Sequence, residues 1–175
     1  MGESVGYERI VMAAEAATVA ERARTWPRHR PWAMDDLEWH AALAYATYPL
    51  HPPEDTPEAL RAETLASFDG TWGEVMPEAS PVALGDAGEP VGAVLTVRRI
   101  VHPQAPDHPY VIGVLTDAAW QRRGIASALL GIAARAVLAE GETRLGLTVD
   151  ADSVGAIRLY EGLGFVELSR GAAGS

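Results

Sequence analysis

The residues richest in chemical content form the run Trp120-Gln121-Arg122-Arg123-Gly124-Ile125-Ala126-Ser127. An apolar run, Tyr110 to Thr116, leads into it, and a helical pattern from Ile125 to Ala139 leads out. A strand, a short basic glycine turn and a helix start together make a place for phosphate. The helix N-terminus offers unpaired N–H groups, and its dipole favours negative charge. Gly124 has no Cβ, so the backbone there can come close to an oxyanion. The segment lacks the Gly-Lys-Ser/Thr ending of an ATPase phosphate loop and the three-glycine dinucleotide fingerprint. Its plain alternative is a strand-to-helix turn that binds nothing.

Such a turn needs a scaffold, and the periodicity of the chain supplies one. Tyr7 to Met12 fits a short strand, and alanine-rich Ala13 to Thr25 a helix. Trp26-Pro27 to Pro31-Trp32 is a proline-bounded break. Asp35 or Asp36 can cap a helix running to Tyr48, and Pro49 to Pro57 reads as a proline-rich loop. Thr56 caps a third helix, with Pro57 at its first position, that ends near Phe68. The period then changes. Val82 to Leu84, Val91 to Ile100 and Tyr110 to Thr116 read as strands, with a turn over Gly85 to Pro90 and a loop over His102 to Pro109. The helix from Ile125 ends before Gly141. Arg144 to Asp150 is the next strand, Ser153 caps a helix to Glu161, and Phe165 to Leu168 is the last strand. Helices, an antiparallel meander and a right-handed strand–helix–strand crossover make an α+β fold with a mixed sheet.

Composition narrows the chemistry. The 175 residues suffice for one domain with a proper core, and 48% hydrophobic with 22% charged content is ordinary for a globular protein. With no cysteine there is no disulfide, no thiolate nucleophile, no acyl-cysteine and no Cys-based zinc site. A formal net charge of −10 argues against nucleic acid as a partner and suits amine-bearing substrates. Glu3, Glu8, Arg9 and Glu15 interrupt any leader-like apolar run, and no stretch approaches the length of a membrane span. The expectation is a cytoplasmic protein with neither membrane nor metal.

A second segment, Leu147 to Phe165, contains Ser153-Val154-Gly155-Ala156-Ile157-Arg158-Leu159-Tyr160-Glu161-Gly162-Leu163-Gly164-Phe165. In order and spacing, the two segments resemble the GCN5-related N-acetyltransferase (GNAT) superfamily. Its Gln/Arg-x-x-Gly-x-Gly/Ala loop is followed by a strand and an Asn-x-x-Ala-x-x-Leu-Tyr-x-x-x-Gly-Phe helix. Gln121, Gly124 and Ala126 fill the loop, and Ala156, Leu159, Tyr160, Gly164 and Phe165 fill the second motif. The resemblance covers Val82 to Leu168 well and the N-terminal part only in element order. It implies one GNAT domain over residues 1–175: a variable substrate-side helical region over 1–75, a sheet and acyl-CoA-binding core over 76–170, and a flexible tail over 171–175. The sheet is expected to be mostly antiparallel, flanked by helices, with splayed central strands.

The resemblance further implies acetyl transfer from acetyl-CoA to a primary amine, most simply of a small molecule, by direct attack. Backbone N–H groups of Arg122, Gly124, Ala126 and Ser127 would bind the pyrophosphate, with Gln121 and Ile125 in the same loop. Arg122 and Arg123 add positive charge, unless they are a solvated pair. Backbone groups of Val114, Leu115 and Thr116 would pair with the pantetheine arm, and an N–H near Val114 would serve the oxyanion. Tyr160 would protonate the leaving thiolate, or only position the sulfur as a core tyrosine. Ser153 replaces the family's usual asparagine at a cofactor-contacting or capping position. The strand glutamate that serves many relatives as base is missing, leaving Asp107, His108, His102 and Glu74 as candidates, or a water chain. Trp26, Trp32, Trp39, Tyr45, Tyr48 and Trp72 either pack helices or, with Asp35, Asp36 and Glu38, cage a cation; Trp72 and Tyr48 are the pocket candidates. Two rival readings stay open: a silent acyl-CoA-binding regulatory domain, and a protein or peptide amine acetyltransferase. Relatives end in one more strand, so Ser169 to Ser175 reads as a tail beside an uncovered sheet edge. Either Tyr7 to Met12 pairs there, or a second copy covers the edge in a homodimer.

Overall fold

Strand pairing overrides local helix preference at the very start of the chain. The computed structural model describes residues 7–48 and 55–172. In it β1 (Glu8–Glu15) runs three residues past Met12, through Ala13, Ala14 and Glu15, which stand opposite Gly146, Leu145 and Arg144 of β6 (Arg144–Asp150). Alanine favours a helix only weakly, and an antiparallel partner wins. The helix expected over Ala13 to Thr25 is therefore only α1 (Ala16–Arg22).

The remaining elements follow closely. β2 (His29–Pro31) is a short strand within the proline-bounded break. A 3-10 turn over Met34–Asp36 precedes α2 (Leu37–Thr47). Asp36 does not cap α2. Its buried carboxylate turns back to accept from the Ala33 N–H at 3.0 Å and from both Arg30 guanidinium nitrogens at 2.8 Å. Most of the expected proline loop, residues 49–54, lies outside the described residues. α3 (Pro57–Phe68) is capped by Thr56, whose Oγ1 accepts from the Ala59 N–H at 3.1 Å. β3 (Pro81–Leu84), β4 (Pro90–Val97) and β5 (Tyr110–Thr116) form the meander. α4 (Ile125–Ala139), β6, α5 (Val154–Gly162) and β7 (Val166–Ala172) complete the chain.

The sheet order is β2-β3-β4-β5-β6-β1-β7, and every neighbouring pair is antiparallel except β5–β6. The last strand does not pair with β6 directly, because a strand from the other end of the chain stands between them. β1 lies between β6 and β7, pairing Ile10 with Val149 on one side and with Arg170 on the other. The pairing of Tyr7 to Met12 with the last strand is thus observed. That last strand is also longer than expected. Ser169 to Ala172, read as tail, pair with Val11 to Glu8, because β1 offers a continuous edge.

The core lies between the sheet and α4, which buries Ile125, Leu129, Leu130, Ala133 and Val137. α1 crosses α4 so closely that a Cβ on Gly131 would stand 2.3 Å from Ala23 Cβ. A smaller cluster of Leu43, Ala44, Leu60 and Leu115 seats α2 and α3 on β5. Together these contacts hold the end of α2 and the start of α4 over the C-terminal half of β5.

Candidate acyl-donor site

β5 and β6 begin side by side and then part. Their parallel pairing covers only Tyr110 with Gly146 and Val111 with Leu147. Beyond Val111 the β6-facing edge of β5 has no strand partner, while its other edge stays paired to β4 through Thr116. In antiparallel pairing alternate residues turn their N–H and C=O to the same side. Val114 and Thr116 therefore turn theirs toward the gap. The Tyr48 hydroxyl accepts from the Val114 N–H and donates to its C=O, both at 3.2 Å, and Gln121 Nε2 donates to the Thr116 C=O at 3.4 Å. Leu115, expected to offer backbone groups as well, is out of phase and faces β4. Its side chain lies in the α2–α3 cluster.

At the end of this edge, Asp117 accepts from the Ala119 N–H at 2.9 Å and starts a 3-10 turn over Ala118–Trp120. The chain then enters the basic turn. Arg122 has φ +62° and Gly124 φ +82°, both left-handed. That conformation is rare for a side-chain-bearing residue. It bends the chain sharply just ahead of the unpaired N–H groups at the start of α4. The Gly124 C=O already serves α4, accepting from the Ala128 N–H at 3.0 Å.

These elements line a cleft of about 870 Å³. Of the expected donor-site residues, Val114, Leu115, Thr116, Gln121, Arg122, Gly124, Ile125, Ala126 and Ser127 line it, as does Tyr160. Arg123 does not; its guanidinium lies 4.6 Å over the Trp120 ring and Nη2 donates to the Ala119 C=O at 3.4 Å. Ser153 does not line it either and makes no side-chain cap on α5; Gly155 and Ala156 of that helix reach the cleft instead. Ser127 also ties the end of α1 to α4, because its Oγ accepts from the Arg24 N–H at 3.0 Å.

Sequence reasoning missed Arg22, Arg24 and Arg158, which join Arg122 around the cleft. None of these four guanidiniums has a carboxylate partner among the described residues, whereas Arg30, Arg61, Arg98, Arg99 and Arg170 are all tied to acids. In a chain of net charge −10 this leaves the cleft rim locally cationic. The signal was hidden because these arginines come from the end of α1, the residues just after it, and α5, far from the loop in sequence.

Tyr160 is 7% exposed, edge-on to Phe165 with ring centroids 5.8 Å apart. Burial pushes its phenol above the ordinary tyrosine value, and Tyr48 across the cleft pushes the same way. Tyr48 is raised to about 12, chiefly by burial of its hydroxyl end. Both are neutral donors at physiological pH. The expected base candidates stand elsewhere. Asp107 pairs with Arg99 at 2.9 Å and Glu74 with Arg98 at 3.5 Å. His102 Nδ1 accepts from the Gln104 N–H at 3.1 Å, and buried His108 lies 3.0 Å from the Pro109 C=O. None of these four lines the cleft.

The N-terminal aromatics mostly pack. Trp26 donates to the Leu84 C=O at 3.1 Å, and Trp32 stacks on Phe68 with centroids 3.9 Å apart. Trp72 lies outside the cleft and Tyr48 inside it. No group of metal-binding side chains occurs among the described residues, and no helix among them is long and apolar enough to cross a membrane.

Comparison with known proteins addresses the family and the fold. The model of the acetyltransferase (GNAT) family matches residues 38–165. The mycothiol acetyltransferase of Paenarthrobacter aurescens strain TC1 is 32% identical over 138 residues, which are 76% of this chain and 40% of that protein. The mycothiol acetyltransferase of Frankia casuarinae is 40% identical over 75 residues, 43% of this chain and 21% of that protein. The chain thus spans less than half the length of these curated relatives. A GCN5-related N-acetyltransferase from Sphaerobacter thermophilus superposes with a TM-score of 0.65 at 23% identity, over 95% of this chain and 50% of that one. AAC(6')-Iy, in complex with the bisubstrate analogue CoA-S-monomethyl-acetylneamine, does so with a TM-score of 0.60 at 19% identity, over 81% of this chain and 91% of that one. These two likenesses concern the fold. The match to the family model spans most of the sequence and includes both motifs, and the chain belongs to the acetyltransferase (GNAT) family.

Proposed function

We propose that the protein is an N-acetyltransferase that moves the acetyl group of acetyl-CoA to the primary amine of a small molecule by direct attack. The observation that carries this reading is the continuity of the unpaired β5 edge at Val114 and Thr116 with the left-handed turn at Arg122 and Gly124. An extended amide-bearing arm fits the first, and a pyrophosphate the second. Arg22, Arg24, Arg122 and Arg158 add charge for the phosphates. With the thioester against Val114, the backbone N–H would stabilise the oxyanion. The amine attacks the carbonyl carbon, its proton goes to water, and the C–S bond breaks as Tyr160 gives its phenolic proton to the thiolate. With no cysteine in the chain, no acyl-cysteine forms.

Acetyl-labelled acetyl-CoA tests the proposal. With a panel of primary amines, label should move to an amine. Without acceptor, none should remain on the protein. Label retained covalently by the protein would overturn direct attack.

A further inference from the structure

Tyr48 is the residue after α2, and its ring crosses from the end of that helix to the middle of β5. Its N–H donates to the Ala44 C=O at 2.9 Å, so the base of the side chain is anchored. Its hydroxyl spends its one donor and one acceptor lone pair on the backbone of a single residue, the C=O and N–H of Val114. At 3.2 Å the N–H···O bond is at the long end of its usual range and the O–H···O bond is longer than usual. One oxygen atom cannot meet an N–H and a C=O of the same residue as well as a second peptide-like group can.

We infer that the Tyr48 hydroxyl is a placeholder for the acyl donor: it occupies the Val114 backbone groups while the cleft is empty and is displaced when the amide-bearing arm of acyl-CoA pairs with them. This inference rests on the proposed reading of the cleft as the acyl-donor site. The two occupants compete because Val114 presents only one N–H, which Tyr48 already holds. Val114 is only half-buried and its bonds to Tyr48 lie on the open side of the cleft, so water would serve those groups without an occupant and each bond to Tyr48 adds only its modest net worth. Seated Tyr48 stabilises the free form and so lowers apparent donor affinity in proportion to the fraction of molecules in which it is unseated. The anchored helix end keeps the released hydroxyl near the reacting end of the cleft. Tyr48 is thus a positioning residue for the donor and sets donor affinity and entry rate.

Tyr48→Phe keeps the ring and removes only the hydroxyl. In the full chain, titration with acetyl-CoA is expected to give binding about fivefold tighter than wild type, a net hydrogen bond's worth of competition. Stopped-flow measurement should place the gain in the association rate, with dissociation unchanged. A residue serving only to pack α2 on β5 would not produce that split. Equal or weaker binding by Tyr48→Phe overturns the placeholder while leaving the donor site in place. If neither protein binds acetyl-CoA, the reading of the cleft falls and the placeholder with it. Tyr48→Leu serves if the phenylalanine variant does not fold. It also lacks the hydroxyl and should bind faster, and slower entry would overturn the idea.

Discussion

A side-chain carbon on Gly124 would stand 2.6 Å from Cδ of Arg24, so the loop before α4 and the end of α1 meet in van der Waals contact at the mouth of the cleft. Gly124 also has φ +82°, which an L residue adopts at a cost. Gly124→Ala is expected to lower stability by about 1–2 kcal/mol. Gly124→Glu adds a negative charge where the pyrophosphate is proposed to sit. It should abolish acetyl-CoA binding while the far-UV circular dichroism stays native. Undiminished binding by the glutamate variant would show that the loop is not the phosphate site.

Tyr160→Phe separates catalysis from binding. Loss of a general acid costs on the order of 10²-fold or more in turnover. Affinity for acetyl-CoA should change only a few-fold, because the ring and its packing on Phe165 remain. The wild-type phenol, raised by burial, stays protonated through the neutral range and beyond the ordinary tyrosine value. The rate should therefore show no falling limb from this group below about pH 10. Unchanged turnover in the variant would reduce Tyr160 to a packing residue.

Burial of His40 is expected to contribute to the loss of stability in acid. His40 is 6% exposed, edge-on to Phe68, and neither ring nitrogen has a hydrogen-bond partner among the described residues. Burial lowers its pKa to about 4, against a partial opposing pull from Asp36. A depressed histidine contributes stability above its unfolded value near 6.5, and that contribution is lost as pH falls toward 4. The loss should be roughly 3 kcal/mol in all. Melting temperature should fall across this window in wild type and much less in His40→Phe. Parallel curves for the two proteins would contradict the assignment.

The β1 strand is expected to be indispensable despite lying at the N-terminus. Ile10, Met12, Ala13 and Ala14 are buried, and β1 hydrogen-bonds both β6 and β7. Deleting residues 1–15 removes this core face and opens the edge of β6, so the product should be insoluble or molten by near-UV circular dichroism. A soluble, cooperatively folding product would mean that β7 can close onto β6 directly.

Much of this could be read from the sequence, for identifiable reasons. The glycine turn, the long apolar helix after it and the Ala156–Tyr160 spacing are local patterns, and the structure brings their residues to one cleft. Placing β1 between β6 and β7 depends on pairing across more than 130 positions (Ile10 with Val149), which no local pattern encodes. The same holds for Arg22, Arg24 and Arg158, whose side chains converge only after α1 crosses α4. Arg123 and Ser153 fall outside the cleft lining for a different reason. A motif position fixes the backbone, while a stacking ring at Trp120 or a missing cap decides where the side chain goes.

The most direct measurement is a titration of the wild-type protein with acetyl-CoA, followed on the same samples by thiol release in the presence of a panel of primary amines. Saturable 1:1 binding is expected, with free coenzyme A appearing only when a suitable amine is added. No binding would contradict the donor site. Tight binding with no thiol release on any amine would instead mark a domain that holds acyl-CoA without transferring it.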